Sequence, residues 1–275
     1  MPLLYLAATN RTGHALLVTA QADAPRTIEL PGLTRKALDE VVSAYQDAVV
    51  ALPGEAMTAA GSEARWGVVL RDTLGWLHEN VMGPVTSGLG LSGRVTLVPA
   101  GPLALLPSHA ALAYADQAAA EELTWSYAPN GRVLARHARL LKDSAGRHRV
   151  LLTLDEGRGG ASRLRQVPAV ESAVHSWTPE PATVLGPGEA TRSAVLTALP
   201  HHDVYHFNCH GRAARDDPFA SHLQLADGPL AIRDLLGRRL PGRLAVLSAC
   251  ESAMARRDLP DEVVSLPGAL LDVLP

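Results

Sequence analysis

The chain has 275 residues, enough for one large domain or two small ones, each with its own core. Its net charge of -3 gives no broad electrostatic footprint for nucleic acid or acidic lipid, and aromatics at 4% are too few for a base-stacking platform. Two cysteines, Cys209 and Cys250, exclude a disulfide framework. In chain order, Leu3 to Ala8 and Ala15 to Ala20 read as two strands joined around the turn-forming cluster Asn10 to Gly13. Thr27 to Leu30 reads as a third strand, ended by Pro31-Gly32. Thr34 then reads as the N-cap of a helix running to about Leu52. A second helix, Ala64 to Val81, carries Trp66, Leu70, Leu74 and Leu77 at helical spacing.

After Gly83-Pro84 the pattern reads as strand, loop and helix. Val95 to Val98 and Thr124 to Tyr127 are strands, and Arg132 to Leu141 is a helix. The polar stretch Lys142 to Arg149, with Gly146, marks a boundary between residues 1–145 and 146–275. The second half then alternates. Val150 to Leu154, Thr183 to Leu185, Val204 to Asn208 and Leu244 to Ser248 are strands. Ala169 to Trp177 and Thr191 to Leu199 are helices. The unbroken apolar run Leu244-Ala245-Val246-Leu247 predicts a strand buried on both faces. This alternation predicts an α/β fold with a largely parallel sheet flanked by helices.

No segment approaches the roughly 18 apolar residues of a membrane span. The apolar start, Met1 to Leu6, lacks a basic run before it and meets Asn10 and Arg11 early, so it does not read as a leader. The expectation is a soluble, cytoplasmic protein, where a free thiol persists.

Two strands of the second half end alike. Val204 to Asn208 leads through Cys209 to His210-Gly211 and a polar loop. Leu244 to Ser248 leads through Ala249 to Cys250-Glu251 and another polar loop. Sites in open α/β sheets lie outside the carboxyl ends of the strands. A His and a Cys at two such ends can converge, so that imidazole moves a proton while thiolate attacks a carbonyl. Each residue alone has a plainer reading, Cys250 as a small core residue and His210 as a hydrogen-bonded strand end. Together, with Gly211 after the His and a small residue before the Cys, they read as a catalytic pair. Gly211 lets the backbone pass close to a substrate oxygen, where its N–H would stabilise an oxyanion.

Cys209 alternates with its neighbours along the strand, so it is expected to face away from His210 and pack with Tyr205 and Phe207. The nearby His201, His202, His206, Cys209 and His210 prompt a zinc reading. On a strand, however, His206 and His210 stand about 13 Å apart, too far to share an ion held at about 2 Å. No metal and no cofactor is therefore expected, and His206 reads as a support for the sheet end. The glycine-rich Gly157 to Gly160 lacks the Gly-Lys-Ser/Thr ending of a phosphate loop.

At this point the residues resemble a known family. His206-Phe207-Asn208-Cys209-His210-Gly211 and Leu247-Ser248-Ala249-Cys250-Glu251-Ser252 are similar to the His-Phe-x-x-His-Gly and Leu-Ser-Ala-Cys-Glu-Thr blocks of the CHAT peptidases. These belong with caspases, separases and gingipains in one clan of cysteine peptidases. Val98-Pro99-Ala100-Gly101-Pro102-Leu103, Leu106-Pro107, Tyr127-Ala128-Pro129 and Glu189-Ala190-Thr191 extend the likeness over nearly the whole chain.

The resemblance implies a caspase-like sheet with a degenerate N-terminal half beside a peptidase half. It implies His210 as general base and acid and Cys250 as nucleophile, with the backbone N–H groups of Gly211 and Cys250 as the oxyanion hole. It also implies regulated cleavage of a protein target, often in bacterial defence. Family members usually continue past this chain's Asp272-Val273-Leu274-Pro275 into further strands. The expectation is therefore a peptidase half truncated after the nucleophile region, either a fragment or a chain joined by a second polypeptide that supplies the missing part or regulates it.

Asp216 and Asp217 follow the His, and Asp258, Asp261 and Glu262 follow the Cys. As pocket residues they would favour a basic residue before the scissile bond, Arg before Lys; otherwise they are solvated loop charges. Two other readings stay open. One is a catalytically silent binding or scaffold module on the same fold; the other is an acyl or thioester transferase using the same pair.

Overall fold

A computed structural model describes residues 1–50, 60–115, 121–141, 149–155, 167–177, 180–214, 216–249 and 265–274. Cys250, Asp258, Asp261 and Glu262 lie outside these described residues. The chain divides into two compact units, with the first division between Gly131 and Arg132. Both units are mixed α/β with parallel strand pairs and packed helices. Among the described residues, no helix is long and apolar enough to cross a membrane.

The first unit opens with β1 (Leu3–Ala8), β2 (Gly13–Val18) and β3 (Arg26–Leu30), an antiparallel meander. Thr9 turns the chain between β1 and β2, its hydroxyl donating to the Thr12 carbonyl at 2.6 Å. β4 (Gly93–Pro99) and β5 (Leu123–Tyr127) add in parallel, giving the order β3-β2-β1-β4-β5. One face of the sheet, including Leu4, Leu6, Leu17 and Leu97, packs against α1 (Arg35–Val50), α2 (Ala60–Leu77), α3 (Gly83–Leu89) and α4 (Ser108–Ala115). The alternation in β1 and β2 fits this arrangement, since only every second residue enters the core.

Gly83-Pro84 does not end the helical region. A π-turn over His78–Met82 joins α2 to α3. Pro84 has no N–H to donate back along the helix, and widening the turn absorbs that loss. The Gly83 N–H reaches His78 O instead, and a Cβ on Gly83 would stand 2.8 Å from that oxygen. The short α4 has apolar residues around most of its circumference, so periodicity does not announce it.

The second unit is built on the parallel sheet β12-β8-β6-β7, from β6 (Val150–Leu154), β7 (Thr183–Leu185), β8 (Val204–Asn208) and β12 (Leu244–Ser248). The helix α5 (Gly131–Leu141) comes before it. α6 (Val167–Trp177) connects β6 to β7, and α7 (Arg192–Ala198) connects β7 to β8. Thr191 caps α7 by accepting the Ala194 N–H at 3.2 Å. Between β8 and β12 lie β9 (Gly211–Arg212), β10 (His222–Leu225), β11 (Gly228–Ala231) and the one-turn α8 (Ile232–Leu235). The three short strands form a small antiparallel sheet of their own. Its turn contains Asp227-Gly228, with Gly228 at φ 145°. α9 (Leu266–Val273) follows β12, with Ser265 as its N-cap.

The sheet has two packed faces. Leu151, Tyr205, Phe207 and Cys209 join α7, the small sheet and α9 in one cluster. Val150, Leu152, Leu154 and Val204 meet α6 in the other. β12 departs from the expectation of burial on both faces. Ala245 and Leu247 pack inward, but Leu244 is 42% exposed and Val246 36%. The reason is position: among the described residues β12 is an edge strand, and on this face α6 packs against β6 and β8 instead.

Candidate active site

The order β12-β8-β6-β7 means that the chain leaves β6 toward one side and β8 toward the other. Such a reversal opens a crevice at the carboxyl ends of the two strands. β8 brings its functional residues there because its sequence alternates. Val204, His206 and Asn208 share one face, while Tyr205, Phe207 and Cys209 fill the opposite cluster. Tyr205 is fully buried and donates its hydroxyl to Leu199 O at 3.0 Å, which anchors the start of the strand. Burial pushes its phenol up to about 12.

His210 sits just past β8 and is half-buried. Its carbonyl accepts the Gln224 N–H at 2.7 Å, and Gly211 is paired with Leu223, so the small sheet holds the backbone on either side of the imidazole. Cys209 lies in the core with Tyr205 and Phe207, as its position on the strand predicts. Burial first, and the Asp155 charge second, push its thiol up to about 12. A thiol in that state is a poor nucleophile.

His206 Nε2 stands 3.1 Å from Ser248 Oγ on the neighbouring strand. The two are joined across the β8–β12 pair, where Val246 faces His206 and Ser248 faces Asn208. Burial lowers the His206 pKa, which favours the neutral ring. His202 is a structural residue, bonded through Nδ1 to Ala198 O at 2.8 Å and through Nε2 to Thr183 Oγ1 at 2.9 Å.

Of the acidic candidates in the described residues, Asp217 is engaged locally. One oxygen accepts the Phe219 N–H at 3.1 Å, and the other pairs with Arg233. Asp216 is exposed in the same loop. One acid escaped the sequence reading. Asp155, 3% exposed, directly follows β6, and its N–H donates to Asn208 O at 3.1 Å. It adds a buried carboxyl one strand from His210's strand. The signal was available: a lone acid directly after an apolar strand, at the end where sites form. Asn208 is also 3% exposed, and its Nδ2 has no hydrogen-bond partner among the described residues. Among the described residues, no group of three or more His, Cys, Asp or Glu side chains could hold a metal ion.

The sequence matches the family model of the CHAT domain over residues 71–272. No curated protein matches the chain.

Proposed function

The chain belongs to the CHAT family, which is related to the caspase-like cysteine peptidases, and from that membership we propose that it is a cysteine endopeptidase acting on a protein target. His210 is the general base and acid, and Cys250 the nucleophile. One observation carries the reading. β8 and β12 are adjacent and parallel, with Ser248 opposite Asn208. Counting two residues on from that pair reaches His210 on one strand's continuation and Cys250 on the other's. The high pKa of Cys209 supports Cys250 as the reactive thiol of the pair.

The chemistry follows from these roles. His210 takes the Cys250 thiol proton, and the thiolate attacks the scissile carbonyl carbon. The carbonyl oxygen gains the charge, with the backbone N–H groups of Gly211 and Cys250 as donors toward it. Collapse breaks the C–N bond, and His210 gives its proton to the leaving amine. Water then attacks the thioester with His210 as base, releasing the acid and restoring the thiol. Positioned proton transfer of this kind contributes roughly 10²- to 10⁴-fold, and one oxyanion donor about 10²- to 10³-fold.

The same reading includes a second polypeptide adding a strand along β12, whose outer edge has no strand partner among the described residues. The cytoplasm suits it, since a reduced thiol persists there.

A proteome-derived peptide library, with new N-termini read by mass spectrometry, tests the proposal. Wild-type protein is expected to generate a defined set of termini that Cys250→Ala and His210→Ala do not. Cleavage that survives Cys250→Ala would refute the assignment. Selective binding of library peptides without cleavage would favour the scaffold reading.

A further inference from the structure

The imidazole–hydroxyl bond between His206 and Ser248 lies outside the chemistry just described. Its surroundings give it a particular weight. Among the described residues, β12 is attached to the sheet along one edge, by its ladder with β8. On the inner face, Ala245 and Leu247 pack into the core. On the outer face, Leu244 and Val246 are exposed, so side-chain packing there does little to hold the strand. Among the described residues, His206 Nε2 to Ser248 Oγ at 3.1 Å is the side-chain hydrogen bond that ties β12 to β8. It falls at the carboxyl end of β12, two residues before Cys250 in the chain.

We propose that His206 is a positioning residue, which acts through Ser248 to fix the end of β12 relative to β8 and so sets where the chain carries its nucleophile. The inference rests on the cysteine-peptidase reading and adds to it a second histidine with a separate task. His206 moves no proton in the reaction. The half-buried ring is flanked in register by Leu152 and Val246, both apolar. Burial lowers the pKa of the ring, which favours its neutral form, while its bond to the Ser248 hydroxyl lies on the exposed side of the strand. A ladder alone restrains an edge strand least at its last residues, where fraying begins. A side-chain bond at Ser248 restrains that end.

The test is the rate of Cys250 alkylation by iodoacetamide across pH. It compares wild type with Ser248→Ala, His206→Leu, their double variant and His206→Gln, with thermal melting as a control for folding. Ser248→Ala removes one hydroxyl from an exposed position and is not expected to unfold the protein. Each single loss is expected to slow Cys250 alkylation at low pH roughly threefold to tenfold, the worth of one ordinary hydrogen bond. The double variant should lose no more than either single one, because both remove the same bond. His206→Gln, whose amide can still meet Ser248, should recover most of the rate.

If wild-type Cys250 reacts at low pH and depends on His210, but is indifferent to Ser248→Ala and His206→Leu, the positioning role is overturned while the peptidase reading stands. Additive losses in the double variant would also overturn it. If wild-type Cys250 shows no such activation, the peptidase reading falls and this inference falls with it.

Discussion

Gly242→Ala is a sharp test of how β8 is anchored. An ideal Cβ on Gly242 would stand 2.2 Å from Tyr205 Cε2, 2.4 Å from Cζ and 2.6 Å from the hydroxyl oxygen. Tyr205 cannot easily yield. It is fully buried, and its hydroxyl is tied to Leu199 O. Overpacking of this kind costs about 1–3 kcal/mol, and the contact of a Cβ with a fixed ring edge argues for about 2 kcal/mol. Hydrogen exchange of the β8 amides reads that loss locally, without assuming that the two units unfold together. Exchange through the opening of this sheet should quicken about 30-fold. In a Tyr205→Leu background the ring edge is gone, and the added methyl should cost much less, giving a clear coupling between the two sites. A change within about 0.5 kcal/mol in the wild-type background would refute the close packing argued here.

Other outcomes follow from the same geometry. Cys209, with its thiol at about 12, should resist iodoacetamide near pH 8 in the folded protein and react once urea exposes it; rapid native labelling would contradict its burial. His206 has a lowered pKa through burial, so the folded state holds fewer protons than the unfolded one near the ordinary histidine value of about 6.5. Its contribution is full above that value and lost as pH falls below it. His206→Gln should therefore reduce the acid sensitivity of stability measured between about pH 5 and 8. The Asp203 carboxyl is lowered by the hydrogen bond from Arg149, with Nη2 to Oδ1 at 3.0 Å. Its stabilisation is present above the ordinary carboxylate range and lost as pH falls through its own lowered value. Solvent screening keeps the effect small, and Asp203→Asn should flatten that part of the acid unfolding curve.

The sequence was most legible where one physical signal dominated. β6, β7, β8 and β12 fall on the boundaries that apolar runs and flanking polar residues predict. Cys209 faces the core because neighbours on a strand alternate, and Thr191 caps α7 because its hydroxyl can accept an N–H that the helix leaves free. Pro84 misled because proline usually stops a helix; here the π-turn before it absorbs the missing donor. The β10–β11 hairpin lies beyond the polar loop after His210 and carries no long apolar run, although Asp227-Gly228 between Leu225 and Leu230 is a hairpin signal. β12 shows what apolarity alone cannot convey. Leu244 and Val246 look like residues buried on both sides, but strand order, a property of the whole chain, leaves them on an outer face. Asp155 and Asn208 gain their interest from adjacency across the β6–β8 pair, which no local pattern encodes.

The proposed peptidase activity depends on His210 and Cys250 acting as a coupled pair. The measurement that meets it most directly is the alkylation rate of Cys250 against pH, read by mass spectrometry, with Cys209 as the internal control and His210→Ala as the comparison. In a coupled pair, Cys250 reacts well below the pH of an ordinary thiol (pKa about 8.5), and His210→Ala abolishes this. A Cys250 that is inert, or whose profile is unchanged without His210, would contradict it.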